Sequence, residues 1–371
     1  MNSQCFFIGT SLGDNPVPHH FVALANELVG RGHRVLILAP HRRTDLEKHD
    51  GQPAIYTWPS ERPTNLHDAR FLKDLFEKHH PSCLIANFAA VNLMLTVGWI
   101  ERIPRRVAWY HTVTEQLVRD AGGMSFKNAL CNWRKRFVYG RATHLVANSL
   151  ASAADLKRHY RIPDSKVRLF HNSLADPACK LRVTGETPKP GKLICVGRLF
   201  PSKGQDVLIR ALALLGESNP LLHVEFIGQG PGRGALADLA SELGVRDRCH
   251  FIGQLGHAEV LQRMANAIAT IVPSRSEAFG MVNIESMAVG TPVIASKVGG
   301  IVEIVRDGLD GLLVPPDDPG LLAAAMHKIL SAPELRHQMH CEARKRFLSH
   351  FEQQRAVQEQ ADWFELITKA S

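Results

Sequence analysis

The chain has 371 residues, 45% of them hydrophobic and 22% charged, the proportions of a soluble globular protein. That length exceeds what one hydrophobic core serves well, so two domains are expected, and no run of about 18 apolar residues is present to span a membrane. The net charge of +8 is uneven: residues 1–182 carry +10 and residues 183–371 carry −2, with 16 basic against 5 acidic side chains within 102–182.

A field of that kind attracts phosphate-bearing lipids, acidic glycans or nucleic acid. The seven cysteines are scattered and form no C-x-x-C pair, which fits free thiols in a reducing compartment. The first residues lack a basic n-region and read as a strand, not a leader peptide.

Residues 4–10 predict a first β-strand, followed by a loop with Gly13, Pro16 and Pro18. An amphipathic helix over 20–30 presents Phe21, Leu24 and Leu28 on one face, and 35–39 is the next strand. This β–loop–helix–β order starts a parallel sheet. Further apolar runs at 82–86, 106–110 and 144–147 continue it, placing His111, Asn148 and Ser149 at strand C-terminal ends, where open α/β sheets bind ligands. Residues 125–137 are predicted to form a basic helix. Phe126, Leu130, Trp133 and Phe137 share one face, beside Lys127 and Arg134 to Arg136. Three readings of this helix stay open: packing on the first sheet, a surface for an anionic bilayer, or a surface for nucleic acid. No nucleic-acid module is recognisable.

Residues 183–191 are turn-formers and read as a linker. Alternation then restarts with strands at 192–197, 223–227, 250–252, 269–272, 293–295 and 311–314, and helices at 204–215 and 233–243. The expected domains are 1–182 and 192–350. The last segment, 333–369, reads as two or three helices, with 351–371 expected to return to the first domain.

The stretch 274–290 concentrates the chemistry. Glu277 and Glu285 stand on either side of the start of a helix predicted over 280–288, with Gly290 as its stop. The N-terminus of a helix attracts an anion such as a diphosphate. Carboxylates beside a diphosphate must face neutral donors, and sugar hydroxyls fit. Arg198 and Lys203, five apart on a strand-to-helix loop, can bracket the same diphosphate. Together these describe a nucleotide-sugar site. Gly228, Gly230, Gly232 and Gly234 offer a weaker dinucleotide-like turn, departing from G-x-G-x-x-G. Gly299 and Gly300 bring backbone close to a ligand, and Glu303 starts the next helix.

In order and spacing, Gly197-Arg-Leu, Lys203-Gly, Gly228-x-Gly-Pro, Glu277-Ala-Phe-Gly, Glu285-Ser-Met-Ala, Gly290-x-Pro-Val, Gly299-Gly-x-x-Glu303 and Asp307-Gly-x-x-Gly resemble the family-4 retaining glycosyltransferases (glycosyl transferases group 1) of the GT-B fold. The first half agrees more loosely, through Gly13, His111 and Asn148-Ser149. The resemblance implies two doubly wound, Rossmann-like α/β domains facing across a cleft. It implies transfer of a hexosyl group from a nucleoside-diphosphate sugar, with retention and without metal or other cofactor. The acceptor would be a glycan or lipid-linked anionic molecule of the cell-surface polysaccharide or lipopolysaccharide type. The setting would be cytoplasmic, with peripheral membrane contact open and no nucleic-acid partner.

By the same resemblance, Arg198 and Lys203 bind the diphosphate, Glu285 the ribose and Glu277 a hydroxyl of the donor sugar. Backbone amides of Phe279, Gly280 and Met281 contact sugar and phosphate. Gly13, Gly197, Gly228 and Glu303 complete the donor site, and His111 points at the sugar. Gln229 and Asn172-Ser173-Leu174 depart from the family pattern. A nucleotide-sugar epimerase of the same architecture and an NAD-dependent oxidoreductase are the rival expectations.

Overall fold

The computed structural model describes residues 3–13, 16–40, 51–123, 126–177, 190–216 and 221–369, and all their side chains except those of 126–131. It divides into two compact units. One comprises Met1–His111, Met124–Ala175 and Gln353–Ser371, the other Thr112–Gly123 and Asp176–Glu352. Residues 183–189 of the expected linker lie outside the described residues.

The first unit holds seven parallel strands: β1 (Cys5–Gly9), β2 (Arg34–Ala39), β3 (Ala54–Thr57), β4 (Cys83–Ala86), β5 (Arg105–Tyr110), β6 (His144–Ala147) and β7 (Val167–Leu169). Their order is β3-β2-β1-β4-β5-β6-β7. The inner strands are continuous apolar runs because helices cover both faces. On one face, Phe6, Ile8, Val107, Trp109 and Val146 meet Phe21, Leu24 and Leu28 of α1 (Pro16–Gly30) and Phe364. On the other face, Phe7, Leu84 and Ala108 pack with α2 (Leu66–His79) and α3 (Ala90–Ile100). After α4 (Thr114–Asp120), which belongs to the second unit, come α5 (Phe126–Gly140) and α6 (Leu150–Tyr160).

The second unit has six parallel strands: β8 (Lys192–Val196), β9 (His223–Ile227), β10 (Cys249–Gly253), β11 (Ala269–Val272), β12 (Val293–Ser296) and β13 (Gly311–Val314). They are ordered β10-β9-β8-β11-β12-β13. Its helices are α7 (Gln205–Leu214), α8 (Arg233–Glu242), α9 (His257–Ala265), α10 (Met281–Ala288), α11 (Ile301–Ile304), α12 (Pro319–Ser331) and α13 (Pro333–Arg346). A π-helical turn, Phe347–Phe351, ends the unit, and α14 (Gln353–Lys369) is part of the first.

The doubly wound α/β class expected from the alternation of elements is present in both units. Two strands escaped the pattern. β3 and β7 sit at the sheet edges and are only partly buried, and their apolar residues are few: Ala54 to Tyr56 in β3, Val167 and Leu169 around Arg168 in β7.

Candidate functional site

In the second sheet, strand order reverses between β8 and β11. The crevice beyond the C-terminal ends of two such strands is where open α/β sheets bind ligands. The loop after β8 carries Arg198 and Lys203, and the loop after β11 carries Glu277 and leads into α10. Lys203 Nζ and Glu277 Oε2 are 2.5 Å apart, and Ser274 Oγ lies 3.4 Å from the same carboxylate oxygen. Arg198 reaches Asp120 of α4 at 3.5 Å and lies over the ring of Phe200. The Ser202 amide donates to that Asp120 carboxylate at 3.2 Å. Glu285, on α10, meets His257 Nε2 at 3.1 Å. Each of the four charged residues singled out in the sequence therefore has a partner of complementary character in its own unit.

Backbone geometry fixes this arrangement. Gly280 is the N-cap of α10 with φ +99°, a left-handed conformation that turns the loop into the helix. Gly299, with φ +47°, lies against the Glu277 carbonyl so closely that a Cβ would stand 1.8 Å from it. The Gly300 amide donates to that carbonyl at 3.2 Å. Loop 297–300 thus presses on the residue that carries the carboxylate.

The remaining donor-site candidates separate by role. Phe279 is 2% exposed and packs edge-on to Phe351, so its ring belongs to the core. Met281 is the first residue of α10. Glu303 is on the short α11, and its carbonyl accepts from Arg346 at 2.8 Å. Gly228 and Gly230 press against the loop after β8: a Cβ there would stand 2.1 Å from the Gly197 carbonyl oxygen and 2.4 Å from that of Leu199. These glycines are explained by loop-on-loop packing, without a dinucleotide.

The first unit has its own cluster at strand C-terminal ends. Asn87 follows β4, His111 follows β5 and Asn148 follows β6, while Thr10 follows β1. His111 Nε2 and Asn87 Oδ1 are 2.6 Å apart, and the His111 ring stacks on Phe88 at 4.9 Å. Burial, with the nearby His20 second, holds the His111 imidazole well below its ordinary pKa. It is neutral at physiological pH. Thr10 Oγ1, Asn87 Nδ2, His111 Nδ1 and Asn148 Oδ1 are buried with no hydrogen-bond partner. Buried polar atoms usually find partners, and four orphans along one sheet edge are suited to a ligand rich in hydroxyls. Phe88 adds an exposed ring held at φ +50°, a costly conformation of the kind that collects at functional sites. Gly13 is exposed, and its neighbours Asp14 and Asn15 lie outside the described residues.

Sequence reasoning missed Asp120, His257, Thr10, Asn87 and Phe88 as site residues. Nothing in local spacing ties Asp120 to Arg198 or His257 to Glu285. Asn87 follows the apolar run 82–86 and Thr10 ends the predicted strand 4–10, so both could have been found with His111 by the same strand-end argument. Among the described residues, no group of three or more His, Cys, Asp or Glu side chains is arranged to hold a metal ion.

Comparison with known proteins follows this division of the chain. Residues 180–346 match the model for glycosyl transferases group 1, and residues 17–174 match that for glycosyltransferase family 4. The D-inositol 3-phosphate glycosyltransferase of Thermobifida fusca (strain YX) is 36% identical over 214 residues, 53% of this chain and 49% of that protein. The chain spans about half the length of such curated relatives. Sucrose-phosphate synthase from Thermosynechococcus elongatus superposes with a TM-score of 0.79 at 22% identity, over 99% of this chain and 100% of that one. Anabaena HepE in complex with UDP-glucose gives 0.75 at 19% identity, over 97% and 99%. With both halves matched and two doubly wound units present, the chain belongs to the family-4 glycosyltransferases of the GT-B fold.

Proposed function

We propose that the chain is a retaining, metal-independent hexosyltransferase. It takes the sugar from a nucleoside diphosphate and gives it to a glycan or lipid-linked anionic acceptor, in the cytoplasm and within reach of the membrane. One observation carries the reading: at the strand-order reversal of the second sheet, Lys203 and Glu277 form a mostly buried pair beside the N-terminus of α10, with Arg198 and Glu285 on the flanking loop and helix. A diphosphate exchanges into the cationic side of such a set and sugar hydroxyls into the anionic side.

Chemistry follows from that exchange. The bond from the anomeric carbon to the diphosphate breaks, and its electron pair leaves as phosphate charge. Arg198, Lys203 and the α10 N-terminus stabilise that charge. The acceptor hydroxyl attacks the same face of the sugar, and its proton passes to an oxygen of the departing phosphate. Neutral His111, with Nδ1 unpartnered, is the side chain in the first unit assigned to a sugar hydroxyl. Backbone at Gly13, Gly197, Gly228, Phe279, Gly280 and Met281 lines the donor, and Glu303 lies at its edge. The UDP-glucose complex of Anabaena HepE supports a nucleotide-sugar donor. The relatives' name favours a second acceptor, a small phosphorylated polyol.

A panel of labelled nucleotide-sugars, scored for hydrolysis without acceptor, tests the reading. Arg198→Ala and Lys203→Ala should each lower turnover of the preferred donor by about 10²–10³-fold. Losses under tenfold in both would defeat it. Stabilisation by NAD but not by UDP or GDP in thermal shift would favour an oxidoreductase, and release of an altered sugar nucleotide without acceptor would favour an epimerase.

A further inference from the structure

We infer that a cavity at the N-terminal ends of β5 and β6 binds the phosphate of an anionic lipid headgroup and docks the first unit on a bilayer. The cavity has a volume of ≈750 Å³. Arg105 and Arg106 open β5 into it, Thr143 and His144 lead into β6, and α5 contributes Trp133, Arg136 and Phe137. Arg141, Lys166 and Trp99 complete its charged and aromatic lining. The catalytic candidates of this unit lie at the opposite, C-terminal ends of the same strands, so this is a separate site.

Its chemistry is one-sided. Four arginines and a lysine line it, and among the described residues no carboxylate does. These are five of the 16 basic residues in 102–182. The imbalance is felt inside the fold: burial first, then the charges of Arg105 and Lys166, hold the His144 imidazole below its ordinary pKa. Arg141 is laid over the rings of Phe137 and Trp99, at 3.2 and 4.5 Å, and its Nε is buried without a hydrogen-bond partner. Its Nη1 donates to the Phe137 carbonyl at 2.7 Å, so the guanidinium is fixed over the rings with its remaining donors left for an anion.

The rim points to a bilayer as the source of that anion. Of the cavity's lining residues, Trp133 is 66% exposed, Phe137 53% and Trp99 50%, an apolar fringe that a site for a free ion does not need. Tryptophan and phenylalanine beside arginine are the composition of surfaces that sit at the headgroup boundary. The alternative expectation, that Trp133 and Phe137 pack on the sheet, is not met. Near its C-terminal end, α5 buries Val138 and Tyr139 instead. The proposal deepens the reading above by giving a lipid-linked acceptor a place of encounter.

The test is co-sedimentation of the full chain with vesicles of phosphatidylglycerol and phosphatidylcholine, against phosphatidylcholine alone. Wild type should partition to the anionic vesicles. Arg136→Glu reverses one charge and should lower partition by about tenfold or more, and Trp133→Ala by several-fold. Both side chains are exposed, so donor hydrolysis in solution should stay at the wild-type rate. That assay separates failure of the docking site from failure of the enzymatic reading. Equal partition to neutral vesicles, unchanged partition of Arg136→Glu, or preferential capture of glycerol phosphate or a single-stranded oligonucleotide would overturn the proposal.

Discussion

Lys203 and Glu277 give the sharpest test, because their pairing has a structural consequence and a catalytic one that separate under mutation. The two side chains are 18% and 13% exposed, so the weak surface ion pair of 0–1 kcal/mol is the wrong reference. Removing one partner of a buried pair costs 3–5 kcal/mol, and the residual exposure brings this down to about 2–3. After Lys203→Ala, Glu277 keeps the Ser274 hydroxyl at 3.4 Å, too long and weak to compensate. For a unit of this size the loss corresponds to roughly 4–12 °C in Tm. The double variant Lys203→Met, Glu277→Gln leaves no isolated charge and should recover most of that loss. Turnover should not recover, since the diphosphate has lost its ammonium and the sugar its carboxylate. Lys203→Ala should lower kcat/KM by about 10²–10³-fold, and the double variant at least as much. Differential scanning calorimetry and single-turnover donor cleavage read the two effects independently. If the double variant restores catalysis along with Tm, the pair is a structural clamp and the catalytic argument is wrong.

Gly299→Ala places a methyl 1.8 Å from the Glu277 carbonyl oxygen at a left-handed φ. It should cost about 3 kcal/mol or more by chemical denaturation and reduce donor affinity with it. His257→Ala removes the partner of Glu285. It should raise KM for the donor about three- to tenfold with little change in kcat, and a selective loss of kcat would contradict an orienting role. His20 is buried between Ser173 Oγ and Gln360 Oε1, each at 2.8 Å. Burial, its largest influence, depresses its pKa despite the Gln360 hydrogen bond. The unfolded chain therefore binds the proton more readily. The stability tied to neutral His20 is complete above about pH 6.5 and declines as pH falls towards the folded-state pKa. His20→Gln should flatten that decline in pH-dependent urea melts.

The fold was legible because burial on both faces turns parallel strands into apolar runs, and helices between them keep a 3.6-residue period. Inner strands such as 192–196 and 269–272 were therefore readable to within a residue. β3 and β7 were not, because their apolar stretches are three residues or fewer, with Arg168 breaking the second. α4 was missed as part of the second unit, since Asp120 is 78 residues from Arg198 in sequence and nothing local links them. The residues assigned to the donor could be proposed as a set because glycines and charges recur on consecutive strand-end loops. Their partners Asp120 and His257, and the strained Phe88, are products of tertiary packing that no spacing encodes.

Where the positive charge sits bears on what it does. The two cations assigned to the donor are on the half of the chain with net charge −2, and around them stand three carboxylates, Glu277, Glu285 and Asp120. Such a site has no net attraction at long range for a dianion, so the donor must be held by short, directed contacts that salt screens poorly. Five cations lie instead at the far end of the first sheet, lining an open cavity where a surface potential acts over about a Debye length. The two functions should therefore part under ionic strength. Raising salt from about 0.05 to about 0.5 M shortens the Debye length roughly threefold. It should reduce partition to phosphatidylglycerol vesicles by about tenfold or more while donor KM moves less than about threefold. Parallel weakening of both would mean that the basic half steers the nucleotide-sugar itself, and the excess charge would then need no membrane to explain it.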